Sequence, residues 1–187
     1  VHRAVRPEGQ VMNIPMSGLG VSNSTFVSQN YGAKQYDRIL KSVKNIFLLD
    51  VAISVFCSAV LIFAGPYVVQ WFVDEPNEQI LSFARQYLYT IGGCYVFVSI
   101  LFVFRNTLQG LGYTYANTIA GAGELIGRIL VSYVFTPVFG FAAVCFAGPC
   151  AWVLADIPLI VIYLMKRKKF KALVTSEEGV KPCHITT

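Results

Sequence analysis

Residues 129–155 read ILVSYVFTPVFGFAAVCFAGPCAWVLA, 27 consecutive residues without a charge between Arg128 and Asp156. Two shorter gaps repeat the theme: 23 uncharged residues separate Asp50 from Asp74, and 19 separate Arg85 from Arg105. About 20 apolar residues, each rising about 1.5 Å, cross a hydrocarbon core of roughly 30 Å. The chain therefore reads as an all-α integral membrane protein with several crossings. Composition agrees, since 55% of the 187 residues are hydrophobic and only 13% are charged, against about 25% charged in a globular domain. High hydrophobicity with low charge excludes intrinsic disorder. Five cysteines, an odd number with four in apolar runs, argue against a disulfide scaffold.

Breaker residues divide the chain into five expected transmembrane helices at about 10–33, 46–72, 80–104, 114–134 and 141–165. These and their links form one membrane unit over 1–169, followed by a solvated tail over 170–187. Gly32 fits the stop of the first span. Lys34, Asp37, Arg38, Lys41 and Lys44 form a short amphipathic lead-in to the second, and Pro66 lies near its far end. Asp74-Glu75-Pro76-Asn77-Glu78 and Thr136-Pro137-Val138-Phe139-Gly140 read as turns. The first span is unusual, because Ser17, Ser22, Asn23, Ser24, Thr25, Ser28, Gln29 and Asn30 suit helix contacts or a watery cavity better than lipid.

Basic residues set the orientation. Lys34, Arg38, Lys41, Lys44, Arg105, Lys166, Arg167, Lys168, Lys169, Lys171 and Lys181 fall in the links and tail on one side of this partition. The links on the other side, at 74–78 and 136–140, hold no basic residue, and only Arg85 lies near that face. By the positive-inside rule the C-terminus is cytoplasmic. The run Lys166–Lys171 directly after an apolar helix is the pattern that anchors a helix end to anionic membrane lipid. No reading motif accompanies it, so nucleic acid is not an expected partner. No signal peptide opens the chain, and a start at valine reads as a piece of something longer.

Charges within the spans are the candidate site. Glu124 and Arg128 are four residues apart and share a helix face. They form either a self-neutralising pair that locks the helix to its neighbours or a lining group for a proton, a cation or a cationic substrate. Asp156 has no local partner and either faces a cavity or bonds to a neighbouring helix. Asp50, near the cytoplasmic end of its span, reads as a solvated end, with a site as the alternative. Asn23-Ser24-Thr25 matches a glycosylation sequon but lies within a span. Gly110-Leu111-Gly112 lacks the third glycine of a dinucleotide fingerprint. Cys145 and Cys150 have no histidine near them for a metal, no cofactor is expected, and no catalytic triad or zinc motif suggests an enzyme.

Four stretches carry a resemblance. Ser24-Thr25-Phe26-Val27-Ser28-Gln29-Asn30-Tyr31-Gly32-Ala33 with Tyr36-Asp37-Arg38, Phe104-Arg105-Asn106-Thr107-Leu108-Gln109-Gly110-Leu111-Gly112, Gly123-Glu124-Leu125-Ile126-Gly127-Arg128, and Pro149-Cys150-Ala151-Trp152 resemble, in order, segments of the multidrug and toxic compound extrusion (MATE) transporters. The wider group includes oligosaccharide-lipid flippases. The resemblance implies twelve helices in two lobes, of which this chain is similar to helices eight to twelve. It implies the C-terminal part of an antiporter of the bacterial inner membrane, exporting cationic or amphiphilic small molecules against Na⁺ or H⁺. Gln29, Asn30, Asn106, Glu124, Arg128 and Asp156 would line the path, with the N-terminal lobe as partner. The acidic residue that some members carry on the tenth helix has no counterpart between Arg85 and Phe104. A flippase, and a non-transporting subunit or degenerate fragment, are the alternatives.

Overall fold

The computed structural model describes residues 6–72 and 78–178, which are helical apart from short turns. Helix α1 (Arg6–Gly32) ends where Lys34 takes φ 58°. Helix α2 (Tyr36–Phe63) is followed by α3 (Gly65–Phe72), which carries Pro66 in its first turn, where a missing N–H is harmless. Helices α4 (Glu78–Gly93) and α5 (Tyr95–Gly110) meet at Cys94. Helix α6 (Thr114–Leu130) passes through a π-helical turn, Val131–Phe135, into α7 (Thr136–Phe139). Gly140, at φ 58°, turns the chain into α8 (Phe141–Glu178).

Among the described residues three helical stretches are long and apolar enough to cross a membrane, Tyr36–Phe63, Thr114–Val138 and Phe141–Thr175, and the bent pair Leu81–Gly93 and Tyr95–Gly110 makes a fourth where the two halves are taken as one span. Helix α1 has the length, at 27 residues, but falls short of the others in apolarity. Its packing explains how it is accommodated. It lies against α2 and α5 and turns Met16, Asn23, Val27 and Asn30 inward.

Several boundaries differ from the sequence reading. The amphipathic entry is continuous with α2: Arg38, Lys41 and Lys44 are exposed on its opening turns opposite the buried Ile39 and Val43, and Lys41 pairs with Asp37 at 2.6 Å on the surface. The second span stops at Phe63, and Thr136–Phe139 is a single helical turn. The turn at 74–78 lies, except for Glu78, outside the described residues. The third span is bent by 47° between Gly93 and Tyr95. A glycine pair loosens the backbone there, and Ser58 of α2 donates from Oγ to the Gly92 carbonyl at 2.6 Å. Ile62 packs so close that a Cβ on Gly92 would fall 2.9 Å from its Cγ1.

Polar bonds join the first three packed helices. Asn23 of α1 donates from Nδ2 to Thr107 Oγ1 of α5 at 2.9 Å, and Ser42 of α2 donates to Asn23 Oδ1 at 3.2 Å. Side-chain hydrogen bonds between membrane helices contribute about 0.6–2 kcal/mol each. Asn23→Ala is therefore expected to cost about 1–2 kcal/mol, read as a lowered melting temperature in detergent. Asn23→Ser, which keeps a hydroxyl, should lose less.

The basic end is closed by aromatic rings. Phe170 stacks on Tyr36 with centroids 5.3 Å apart, and Tyr31 lies 6.0 Å from Phe170 and 6.3 Å from Tyr36. Lys166 sits 4.1 Å above the Tyr113 ring. The reading of a solvated tail from residue 170 fails at its first residue: Phe170 is 3% exposed, and α8 continues to Glu178.

Candidate functional site

Gly123 and Gly127 present a smooth face of α6 to α8, because a small-residue stripe at a four-residue interval lets backbones approach. A Cβ on Gly127 would come 2.9 Å from Ala151 Cα, and one on Gly123 would come 3.1 Å from the Leu154 carbonyl oxygen. Glu124, on the same helix as these glycines, lies beside α5. Arg128 Nη2 donates to Glu124 Oε1 at 2.7 Å, the pair expected from the spacing, and Arg105 Nη2 of α5 lies 3.6 Å from Glu124 Oε2.

Arg105 is the member that sequence reasoning missed, having placed it in a link. It lies within the last two turns of α5, and its charge acts on Asp156 of α8. Asp156 is 4% exposed. Neither Asp156 oxygen has a hydrogen-bond partner among the described residues, nor has Arg105 Nε. Arg105 of α5 and Arg128 of α6 thus share the Glu124 carboxylate, and Arg105 Nε keeps unused hydrogen-bonding capacity. A cation entering here would compete with the arginines for the carboxylate oxygens.

The other expected residues stand apart from this group. Asn106 donates to the Phe102 carbonyl at 2.8 Å and presses on α1, where a Cβ on Gly20 would fall 2.4 Å from its Nδ2. Asn30 is buried and donates to the Phe26 carbonyl at 2.7 Å. Both amides satisfy their own helices. Gln29 is exposed on α1, on one stripe with Gly18, Ser22 and Thr25.

Asp50 overturns its reading as a solvated end. It is 0% exposed, on the buried stripe of α2 with Ile39, Val43, Ser54, Cys57 and Leu61. Because α2 begins at Tyr36 rather than near Ile46, Asp50 falls at the helix centre. Among the described residues no group of three or more His, Cys, Asp or Glu side chains is placed to hold a metal ion.

An open, almost wholly apolar groove of about 430 Å³ runs between α5, the π-helical turn and α8, lined by Phe97, Leu130, Val131, Phe135, Val153 and Leu154. Gly127 is also in its wall, three residues from Glu124. π-Helical turns occur frequently at functional sites. No curated protein matches the chain. A family model described as MatE matches residues 9–134, from α1 through the π-helical turn.

Proposed function

Because the chain belongs to the MatE family of transporters, we propose that it is the C-terminal part, helices eight to twelve, of an antiporter that exports amphiphilic organic cations in exchange for Na⁺ or H⁺. The observation that carries this reading is the ion-pair group Arg105, Glu124 and Arg128 beside the apolar groove. An apolar wall accepts the body of an amphiphilic cation, and a carboxylate one turn away accepts its charge. Alternating access then follows from one lobe rotating against the other.

The exposed stripe of α1 supports a first lobe as partner. Its hydroxyls are satisfied within the helix, Ser22 on the Gly18 carbonyl at 3.0 Å and Thr25 on that of Val21 at 3.2 Å, so the face is small and ready to pack. At the basic end Arg167, Lys168 and Lys171 border an apolar surface formed by Val161, Leu164 and Met165. That arrangement suits an acyl chain beneath an anionic headgroup and supports a cytoplasmic C-terminus in a bacterial inner membrane.

Transport needs two lobes, and five helices supply less than one. Residues 1–187 expressed alone in a drug-sensitive host are expected to give no ion-dependent dye efflux. Co-expression with a matching first lobe and seventh helix is expected to restore it. Efflux from the five helices alone would refute the two-lobe reading, and no efflux in either arm would refute the efflux reading.

A further inference from the structure

We propose that the basic end of α8 carries a discrete site for one anionic phospholipid, its phosphate held by Arg167, Lys168 and Lys171 and an acyl chain lying along Val161, Leu164 and Met165. This deepens the placement of the basic end at the headgroups given above, and it depends neither on efflux nor on the coupling ion.

The last turns of α8 have two faces with different tasks. Ile162, Tyr163 and Phe170 are buried in the bundle, and Lys166 on the same face is held over the Tyr113 ring. Val161, Leu164, Lys168 and Lys171 follow one another at intervals of three and four residues, so they share the opposite face. Val161, Leu164 and Met165 are all exposed there. An open apolar groove of about 430 Å³ runs along this face, bordered by Arg167, Lys168 and Lys171. The five cations between Lys166 and Lys171 are therefore not one undivided patch. Lys166 is engaged inward, whereas Arg167, Lys168 and Lys171 make no ion pair among the described residues.

Charge and height together select the occupant. Arg167 and Lys171 are four residues apart on one helix, where like charges repel, and a phosphate between them relieves that repulsion. Lys168 stands about 10 Å along the helix from Val161, so cations at headgroup depth put the apolar residues beside the upper acyl chain. A soluble phosphate would leave Val161, Leu164 and Met165 bare. A zwitterionic lipid would leave the cations without a net counter-charge. An anionic phospholipid answers both needs.

Phe170 turns a general attraction into a site. It is 3% exposed and stacked on Tyr36, with Tyr31 beside it. That contact fixes the rotation of the helix, and α8 stays helical to Glu178. Lys168 and Lys171 are thereby held on the apolar face instead of sweeping through solvent as a loose tail would.

The test uses the transporter that contains this chain, purified in detergent and given phosphatidylglycerol or phosphatidylcholine with the same diazirine on one acyl chain. Each lysine beside an anionic headgroup contributes about fivefold in affinity. After irradiation, mass spectrometry is expected to find phosphatidylglycerol on residues 161–165 at roughly ten times the level of phosphatidylcholine. Lys168→Gln with Lys171→Gln is expected to bring that ratio close to one, and Lys168→Arg with Lys171→Arg to preserve it. Lys34→Gln with Lys44→Gln removes two exposed cations at the same end of the bundle, and it should leave the ratio unchanged. Equal labelling by the two lipids, an unchanged ratio in the glutamine pair, or an equal fall in the Lys34 and Lys44 control would overturn the site. No label from either lipid means that another helix of the transporter covers the stripe, and this overturns it too. Excess glycerophosphoglycerol, the headgroup without its chains, should not displace the label; displacement would assign the cations to phosphate alone and sink the lipid. Because transport is not measured, failure in any arm leaves the efflux reading standing.

Discussion

Gly110→Ala is expected to lower the yield of folded protein more than any other single methyl group added to these helices. At Gly110 the new Cβ would lie 2.5 Å from the Ser24 carbonyl oxygen and 3.1 Å from Ser24 Cα. Both atoms are backbone and cannot swing aside, so α1 and α5 must separate. Overpacking typically costs about 1–3 kcal/mol and occasionally more. Separation here would also stretch the Asn23–Thr107 bond, which places the change at the upper end. Gly121→Ala is the control, since nothing lies within 4 Å of its Cβ position and alanine favours a helix by about 1 kcal/mol over glycine. Monodispersity on size exclusion and melting temperature in detergent read both. A stable, monodisperse Gly110→Ala protein would mean that α1 does not sit on α5 as described.

Removing Arg105 should be the most damaging charge substitution. Breaking a buried ion pair by deleting one partner costs about 3–5 kcal/mol. Arg105 is 31% exposed, so the expected loss for Arg105→Gln is nearer about 2–3 kcal/mol. Arg128 is 55% exposed, and Arg128→Gln should stay within about 1 kcal/mol. The two arginines touch the same carboxylate, so a model in which the four-residue pair dominates gives the opposite order. Adding Glu124→Gln to Arg105→Gln should recover part of the loss by removing a stranded charge. In the two-lobe transporter, recovery of expression without recovery of transport in Glu124→Gln with Arg128→Gln would assign Glu124 to the path. If Glu124→Gln alters neither expression nor transport, both its structural and its lining role fail.

What could be read from residue order alone was whatever lives within one helix. Charge spacing pointed to long apolar helices, Gly32 marked a stop, and the interval from Glu124 to Arg128 foretold an ion pair. Contacts between helices were invisible. Arg105 and Glu124 are 19 residues apart and belong to different helices, so no periodicity joins them. The misplacement of Asp50 has a simpler origin. Charged residues at Arg38, Lys41 and Lys44 set the expected span at Ile46, whereas the helix itself begins at Tyr36, so Asp50 lies at the centre of the helix rather than near its end. Lysine and arginine side chains can keep their heads in water while their helix continues inward. Phe170 was hidden for the same reason, as one ring inside a basic run.

The ring cluster at the basic end also sets an order of events during synthesis. Tyr36 and its stacking partner Phe170 are separated by 134 positions in the chain. At about 5–20 residues per second, Phe170 emerges on the order of ten seconds after Tyr36. During that interval Tyr31 and Tyr36 must wait at the membrane boundary without their cover. Tyrosine is suited to such a wait, because its ring rests among lipid headgroups while its hydroxyl stays hydrated. Helix α8 therefore fastens α1 and α2, and this ring cluster cannot close before translation has passed residue 170.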